Sequence, residues 1–430
     1  SDQGSELVGA ELIGRKQTLD RLKRVSVSSA GVDSAGPAGE IAKLCNAIEE
    51  LDLEGNPLRD WDTVLSIATQ LPLLTSLSLN HVSLEPFSEL PQSLDGALTR
   101  VRTLCLNATG VVWQQLLEVA VKLPNLRELH FNANGVTSLC AKGDAVLPLQ
   151  QLQILSLQDN AISEWSDVSP LAGLPLLDSL NLNGNRLKSV PPLVGTFNSL
   201  RQILLRSNSI DEWRSLDSLD SLVALREARL SELPVLSGLS AAVARRHIIA
   251  RIGGLTVLNS SEVRTRERDD AERFYLRHIA ENYPTGDDLP RVTEEGVLLP
   301  SNDAWAALEL SHPRIRTLLC KHGEQRPVTQ AGAAGGVLGA ELIELTLRSA
   351  SAAAASVPAV TRRLPGGLPL KNLKLIAHQL FKIEPTKQRL FYYPPGQDKD
   401  IPEPLDDDLK RLCDFAVTNG GTIVLDELES

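Results

Sequence analysis

Apolar residues between positions 22 and 235 recur in one spaced pattern. In IEELDLEGNPL (48–58) they fall at Ile48, Leu51, Leu53 and Leu58, with Asn56 between. The same triad returns as Leu74-Leu77-Leu79, Val101-Leu104-Leu106, Leu126-Leu129-Phe131, Leu152-Leu155-Leu157, Leu177-Leu180-Leu182 and Leu200-Ile203-Leu205. A weaker copy, Leu22-Val25-Val27 with Val32, precedes these, and Leu225-Ala228-Leu230 follows them. Starts at 22, 48, 74, 101, 126, 152, 177, 200 and 225 keep nine copies in phase. Within each copy the alternation has the period of a short strand with one buried face.

The spacing is that of the leucine-rich repeat, L-x-x-L-x-L-x-x-N-x-L. Asn134, Asn160, Asn185 and Asn208 fill the asparagine slot again. The inward leucines of one coil stack on those of the next, and the asparagine bonds backbone groups freed where the strand turns. DTVLSIATQLPLL (62–74) and WQQLLEVAVKLPNL (113–126) have helical apolar spacing and end near Leu-Pro, predicting a helical convex side. Trp61, Trp165 and Trp213 lie 13 residues after their repeat starts, with Phe87 at the same offset and Trp113 one earlier. That column is assigned to packing between coils.

Strand residues between the inward leucines face the concave side. That face opens acidic, with Glu50, Asp52 and Glu54, continues through His130, Asn132 and Asn181, and ends basic with Arg206 and Arg229. These residues are the candidates for partner binding, because solenoids use this surface for extended contacts. ARIGGLTVLNSSEVRTRERDDAERFYLRHIAEN (250–282) reads as the atypical closing unit: a strand and then a charged helix whose Arg264, Arg266 and Arg268 alternate with acids and read as a solvated face.

The pattern then changes. Residues 283–336, rich in Pro, Gly and acids, read as a linker with one ordered island, WAALELSHPRIRTLLCKHG (305–323). TQAGAAGGVLGA (329–340) reads as flexible, with a protease-sensitive hinge near Gly335-Gly336. Beyond it, AELIELTLRS (340–349), AVTRRLP (359–365), LPLKNLKLIAHQLFKI (368–383), KQRLFYYP (387–394) and GTIVLDEL (421–428) predict the order ββαββ. That order resembles the ubiquitin-like β-grasp fold. The expected organisation is therefore an α/β leucine-rich-repeat solenoid with cap (1–282), a linker (283–336) and an α+β ubiquitin-like domain (337–430). Phe391 matches the apolar surface patch by which ubiquitin is recognised and is the candidate there, with Asp426 expected opposite it on the last strand. The chain ends DELES rather than in Gly-Gly, so this domain reads as a docking module and not a conjugated modifier.

Composition narrows the function. A formal net charge of −11 argues against phosphate-backbone binding, and no apolar run approaches the roughly 20 residues of a membrane span. Neither nucleic acid nor membrane is an expected partner. Five widely spaced cysteines, without C-x-x-C, suit neither a disulfide framework nor a zinc site, and fit a reducing cytosol. Asn107-Ala-Thr109 and Asn259-Ser-Ser261 are chance sequons on this reading. Phosphate-loop, G-x-S-x-G and H-E-x-x-H motifs do not occur, and the seven histidines show no metal-ligand spacing. The expectation is a binding protein with no cofactor, metal or catalytic residue. With Ser1 first and no methionine anywhere, the sequence reads as a fragment or an edited one.

Taken together, the tryptophan-bearing repeats, the charged cap, HPRIRTLLCKHG (312–323), RRLPGGLPLKNLK (362–374) and the β-grasp pattern resemble the tubulin-folding cofactor E family over nearly the whole chain. The resemblance implies a cytoplasmic, cytoskeleton-associated chaperone that binds α-tubulin. With cofactors D and C and a small GTPase, it would assemble or dissociate the α/β-tubulin heterodimer. The family's CAP-Gly domain, with its Gly-Lys-Asn-Asp-Gly-type loop for the acidic tail of α-tubulin, has no counterpart motif in this sequence. Two alternatives remain on residues alone: an adaptor that links a client on the solenoid to the proteasome, and a phosphatase-type regulatory scaffold.

Overall fold

The computed structural model describes residues 19–87, 96, 98–141, 146–284, 290–293, 296–324, 342–351, 354, 357–395, 403–408, 410–415 and 417–427. They fall into two compact units, one of residues up to Ser237 with Ile252–Val263, the other of Gly238–Arg251 and residues from Arg264 onward. No described helix is long and apolar enough to cross a membrane.

The first unit is a solenoid. Each repeat contributes one three-residue strand: β1 (Arg24–Ser26), β2 (Glu50–Asp52), β3 (Ser76–Ser78), β4 (Thr103–Cys105), β5 (Glu128–His130), β6 (Ile154–Ser156), β7 (Ser179–Asn181), β8 (Gln202–Leu204) and β9 (Glu227–Arg229). They pair in chain order, each parallel to the next, and β10 (Val257–Leu258) with the antiparallel β11 (Ser261–Glu262) completes the sheet. Repeats of nearly equal length bring the same template position into register. Leu51, Leu77, Leu104, Leu129, Leu155, Leu180, Ile203 and Ala228 are consecutive Cα partners, all buried. Burying such an aliphatic side chain stabilises by roughly 1.5–3 kcal/mol.

The slot asparagines join the coils. Asn160 Nδ2 donates to the carbonyls of Leu157 in its own coil (2.9 Å) and Phe131 in the preceding one (3.0 Å), while its Oδ1 accepts from Val136 N (3.0 Å). Asn56, Asn185 and Asn208 repeat this arrangement with Val27, Leu157 and Leu182 as the preceding-coil acceptors. All four side chains are buried, so both ends of each amide need these partners. The residue before the slot turns the chain. Ser29, Gly55, His81, Ala108, Ala133, Asp159, Gly184, Ser207 and Glu232 all hold φ between 53° and 66°. Only two are glycine, so seven coils carry a left-handed residue that the sequence does not flag.

On the outer side, Trp61, Trp113, Trp165 and Trp213 are each the first residue of a helix: α2 (Trp61–Ala68), α3 (Trp113–Ala120), α4 (Trp165–Val168) and α5 (Trp213–Asp217), after a short α1 (Glu40–Leu44). Asp60 caps α2, accepting from Thr63 N at 2.7 Å. Trp61, Trp113 and Trp165 are buried, as a packing column requires; Trp213 and Phe87 are half-buried. Trp113 meets Phe131 edge-to-face at 5.8 Å, and its indole N–H donates to Leu139 O at 3.0 Å.

In the second unit α6 (Ala241–Arg251), which the sequence pattern did not reveal, packs beside the charged helix α7 (Thr265–Ala280). The island is helical, as α8 (Asp303–Ser311) and α9 (Ile315–His322), preceded by a hairpin of β12 (Arg291–Thr293) and β13 (Gly296–Leu298). Tyr275, Leu276 and Ile279 of α7 share a core with Trp305, Ile315, Leu318 and Leu319.

A five-stranded sheet follows. It contains β14 (Leu342–Ser349), β15 (Val360–Pro365), β16 (Gln388–Tyr393), β17 (Glu403–Leu405) and β18 (Gly421–Glu427), in the order β15-β14-β18-β16-β17. The first and last strands run parallel at the centre. Helix α10 (Leu370–Phe381) lays Leu370, Leu373, Ala377 and Phe381 on the face carrying Leu345, Leu347, Leu390, Tyr392, Ile423 and Leu425. This is a β-grasp with one strand more than the expected ββαββ. Strand β17 was not among the expected elements; it contains Pro404, which is tolerated because β17 lies at the sheet edge. The expected hinge at Gly335-Gly336 and the terminal residues 428–430 lie outside the described residues.

Candidate functional site

Strand alternation puts the predicted residues on the concave face, but they differ in what they still offer a partner. Glu50 pairs with Arg24 Nε on β1 at 3.0 Å, and Asp52 accepts from Ser26 Oγ at 2.9 Å. The acidic end is therefore partly neutralised by the coil before it. Asn132 Oδ1 accepts from Ser156 Oγ and Gln158 N, both at 2.7 Å, and Asn181 Nδ2 donates to the same Ser156 hydroxyl at 3.0 Å. Asn132 and Asn181 thus hold the face together. His130 Nε2 lies 2.8 Å from Glu128 Oε1. At the far end Arg206 is ion-paired with Glu232, and Arg229 is exposed. Ile154, 38% exposed among polar neighbours, is an apolar residue on this face not singled out as a candidate.

Cys105 lies on this face beside His130 in the register. Burial, then the carboxylates of Glu128 and Asp52, push its thiol up to about 11, so it stays protonated and non-nucleophilic at neutral pH.

The second unit contains two buried polar clusters that sequence spacing could not show, because their members come from different helices. In one, Glu272 on α7 receives Lys321 Nζ (2.7 Å) and His322 Nε2 (2.7 Å) from α9, with Arg314 at 3.6 Å. Burial alone would raise the Glu272 carboxyl; the hydrogen bonds from Lys321 and His322 and the charge of Arg314 outweigh it and hold it below its ordinary value. Ligand atoms of Asp269, Glu272 and His322 lie within 4.8 Å of one another, close enough for a metal. Lys321 Nζ, 2.8 Å from Asp269 and 2.7 Å from Glu272, already supplies a cation there.

In the other cluster His247 meets Tyr275 edge-on at 5.5 Å and His278 at 5.1 Å, and Tyr275 Oη bonds His312 Nδ1 at 2.6 Å. Burial, with His278 and Arg251 nearby, depresses His247 to about 3; burial, then Arg251 and His278, depresses His312 to about 4. Both are neutral in the folded state, whereas the unfolded chain takes up protons near pH 6.5. Stability should therefore fall as pH drops from about 6.5 toward 4. Urea unfolding at pH 7, 6 and 5 should show this loss, and His312→Gln should flatten it. An equally steep profile in the variant would remove His312 from the account.

The outer face of the β-grasp sheet corrects one expectation. Phe391 faces Val424, and Asp426 pairs instead with Arg389. The expected pairing was displaced by two residues, a shift that leaves every side chain on its face and so is invisible to alternation. Phe391 is half-buried, with the Arg389 guanidinium 5.8 Å from its ring centroid.

The fold defines a class: a leucine-rich-repeat protein with a β-grasp unit. Tubulin-folding cofactor E of Arabidopsis thaliana is 32% identical over 99% of this chain and 79% of its own length. Tubulin-specific chaperone E of Danio rerio is 28% identical over 97% of this chain and 79% of its own. The chain belongs to the tubulin-folding cofactor E family. Among solved structures, the C-terminal ubiquitin-like domain of mouse tubulin-specific chaperone E aligns with 23% of this chain and 97% of that domain, at 18% identity and a TM-score of 0.20. No protein-family model matches.

Proposed function

We propose that this protein is a cytoplasmic tubulin-folding chaperone that holds α-tubulin on the concave face of the solenoid and acts by binding rather than by catalysis. Cofactors D and C and a small GTPase would be its co-workers in assembling or dissociating the heterodimer, with the β-grasp unit docking on one of them. The observation that carries this reading is the 32% identity to tubulin-folding cofactor E across 99% of the chain, repeats and β-grasp alike. The concave face supports it with a charge gradient, from Glu50, Asp52 and Glu54 to Arg206 and Arg229.

Complementary charge mainly steers encounter and fixes orientation. Reversing Glu50, Asp52 and Glu54 together to lysine is expected to slow association with tubulin roughly tenfold at low salt. Some loss of stability is expected as well, since all three are half-buried and the reversal breaks the Glu50–Arg24 and Asp52–Ser26 contacts. Stopped-flow association kinetics on a variant shown folded by circular dichroism provide the check. Unchanged kinetics would mean that this end of the face is not the tubulin site.

A further inference from the structure

Helix α7 carries a second surface. Its inward residues are Ala271, Glu272, Tyr275, Leu276, Ile279 and Ala280. The opposite stripe runs through Arg266, Asp270, Arg273 and Arg277 at helical spacing, with the first three exposed and Arg277 half-buried.

What makes this stripe basic is where the acids of the helix go. Glu267 is bound by Arg245 through two hydrogen bonds (2.5 and 3.1 Å), Asp269 by Lys321, and Glu272 by Lys321, His322 and Arg314. The module consumes three of the four acids of α7 internally and leaves Asp270 among three arginines. Arg266 and Arg277 have no ion-pair partner among the described residues, and Arg273 donates to His322 Nδ1 at 3.4 Å. On the flank, the Arg246 guanidinium of α6 lies 5.1 Å from the Phe274 ring centroid, placing an apolar ring and a fourth cation beside the stripe. Glu281 is the next acid, just past the helix end. Among the described residues the three arginines of the stripe thus stand with two carboxylates, on a chain whose net charge is −11.

We infer that this face of α7, with Arg246 and Phe274 beside it, is a docking surface for an extended acidic segment of a partner protein. The inference is independent of the tubulin reading. Arg266 to Arg277 spans about 16 Å along a helix, the length of about five residues of extended peptide at roughly 3.3 Å each. Carboxylates at alternate positions of such a segment can meet successive arginines, which bind them as planar forks. A long nucleic acid fits worse, since the basic stripe is short and its phosphates would run on over a negatively charged protein.

The test uses the full chain and a fluorescein-labelled peptide of eight glutamates, followed by anisotropy at 50 and 200 mM salt, with an eight-lysine peptide and a 20-nucleotide single-stranded DNA as comparators. The acidic peptide should bind, and more weakly at the higher salt. Because Arg273 also touches His322, the variant chosen is Arg266→Glu with Arg277→Glu, which leaves the Glu272 cluster intact and should weaken binding at least tenfold. Asp270→Arg should strengthen it. Absence of binding, binding indifferent to both variants, or preferred binding of the DNA would each overturn the proposal.

Discussion

Trp113→Ala is expected to destabilise the solenoid by about 3–5 kcal/mol, the range for removing a fully packed large aromatic. The ring is 4% exposed, fills the space between its own helix and Phe131 of the next coil, and donates to Leu139 O one repeat away. Its removal therefore opens a cavity and leaves a buried carbonyl unmet. Trp113→Phe separates the two effects: most of the packing stays, only the donor is lost, and a cost of about 1–3 kcal/mol remains. Since each coil touches only its neighbours, loosening should concentrate near β4 and β5. Urea unfolding gives the magnitude, and hydrogen exchange at Leu104 and Leu129 gives the place. A loss below about 1 kcal/mol for the alanine variant would contradict the assignment of this ring to packing.

Glu272→Ala should cost a similar amount, about 3–5 kcal/mol, for a different reason. The carboxylate is 1% exposed and is the common acceptor of Lys321, His322 and Arg314. Deleting it takes the counter-charge from Arg314, whose side chain is only 17% exposed, and weakening the compensation of a buried charge is dearer than losing the pair itself. Lys321 can fall back on Asp269, so the loss should lie toward the lower end. Glu272→Gln keeps the volume and part of the hydrogen bonding, and should land between. Unfolding followed by hydrogen exchange in α7 and α9 tests this, and a neutral Glu272→Ala would show that the cluster is solvated in solution.

The two residues also explain why the readable features and the structural ones differ in kind. Trp113 announces itself, because it recurs at a fixed offset in an array of repeats. Glu272 stands among Asp269, Asp270 and Arg273 in a highly charged stretch of the helix, and nothing local marks it as the one acid that is buried. Its partners lie about 50 residues away, joined to it only when α9 packs on α7.

The sequence by itself determined the solenoid, the asparagine ladder, the tryptophan column and the β-grasp core. These rest on short-range periodicity, and a repeat of nearly constant length makes each coil's register the consequence of its neighbour's. It also determined which strand residues face the concave side, because alternation has only two phases. Only the tertiary structure decided what those residues have left to offer. Asn132 and Asn181 are engaged across coils, Glu50 is paired with Arg24, and Phe391 faces Val424 because register is set by the whole sheet and not by one strand. The left-handed turns at Ala108, Ala133 and Glu232, the edge strand at Pro404, and the joining of Glu272 with His322 belong to the same group. Each of them depends on which distant backbone or side chain arrives alongside, and that information is carried by packing rather than by any local run of residues.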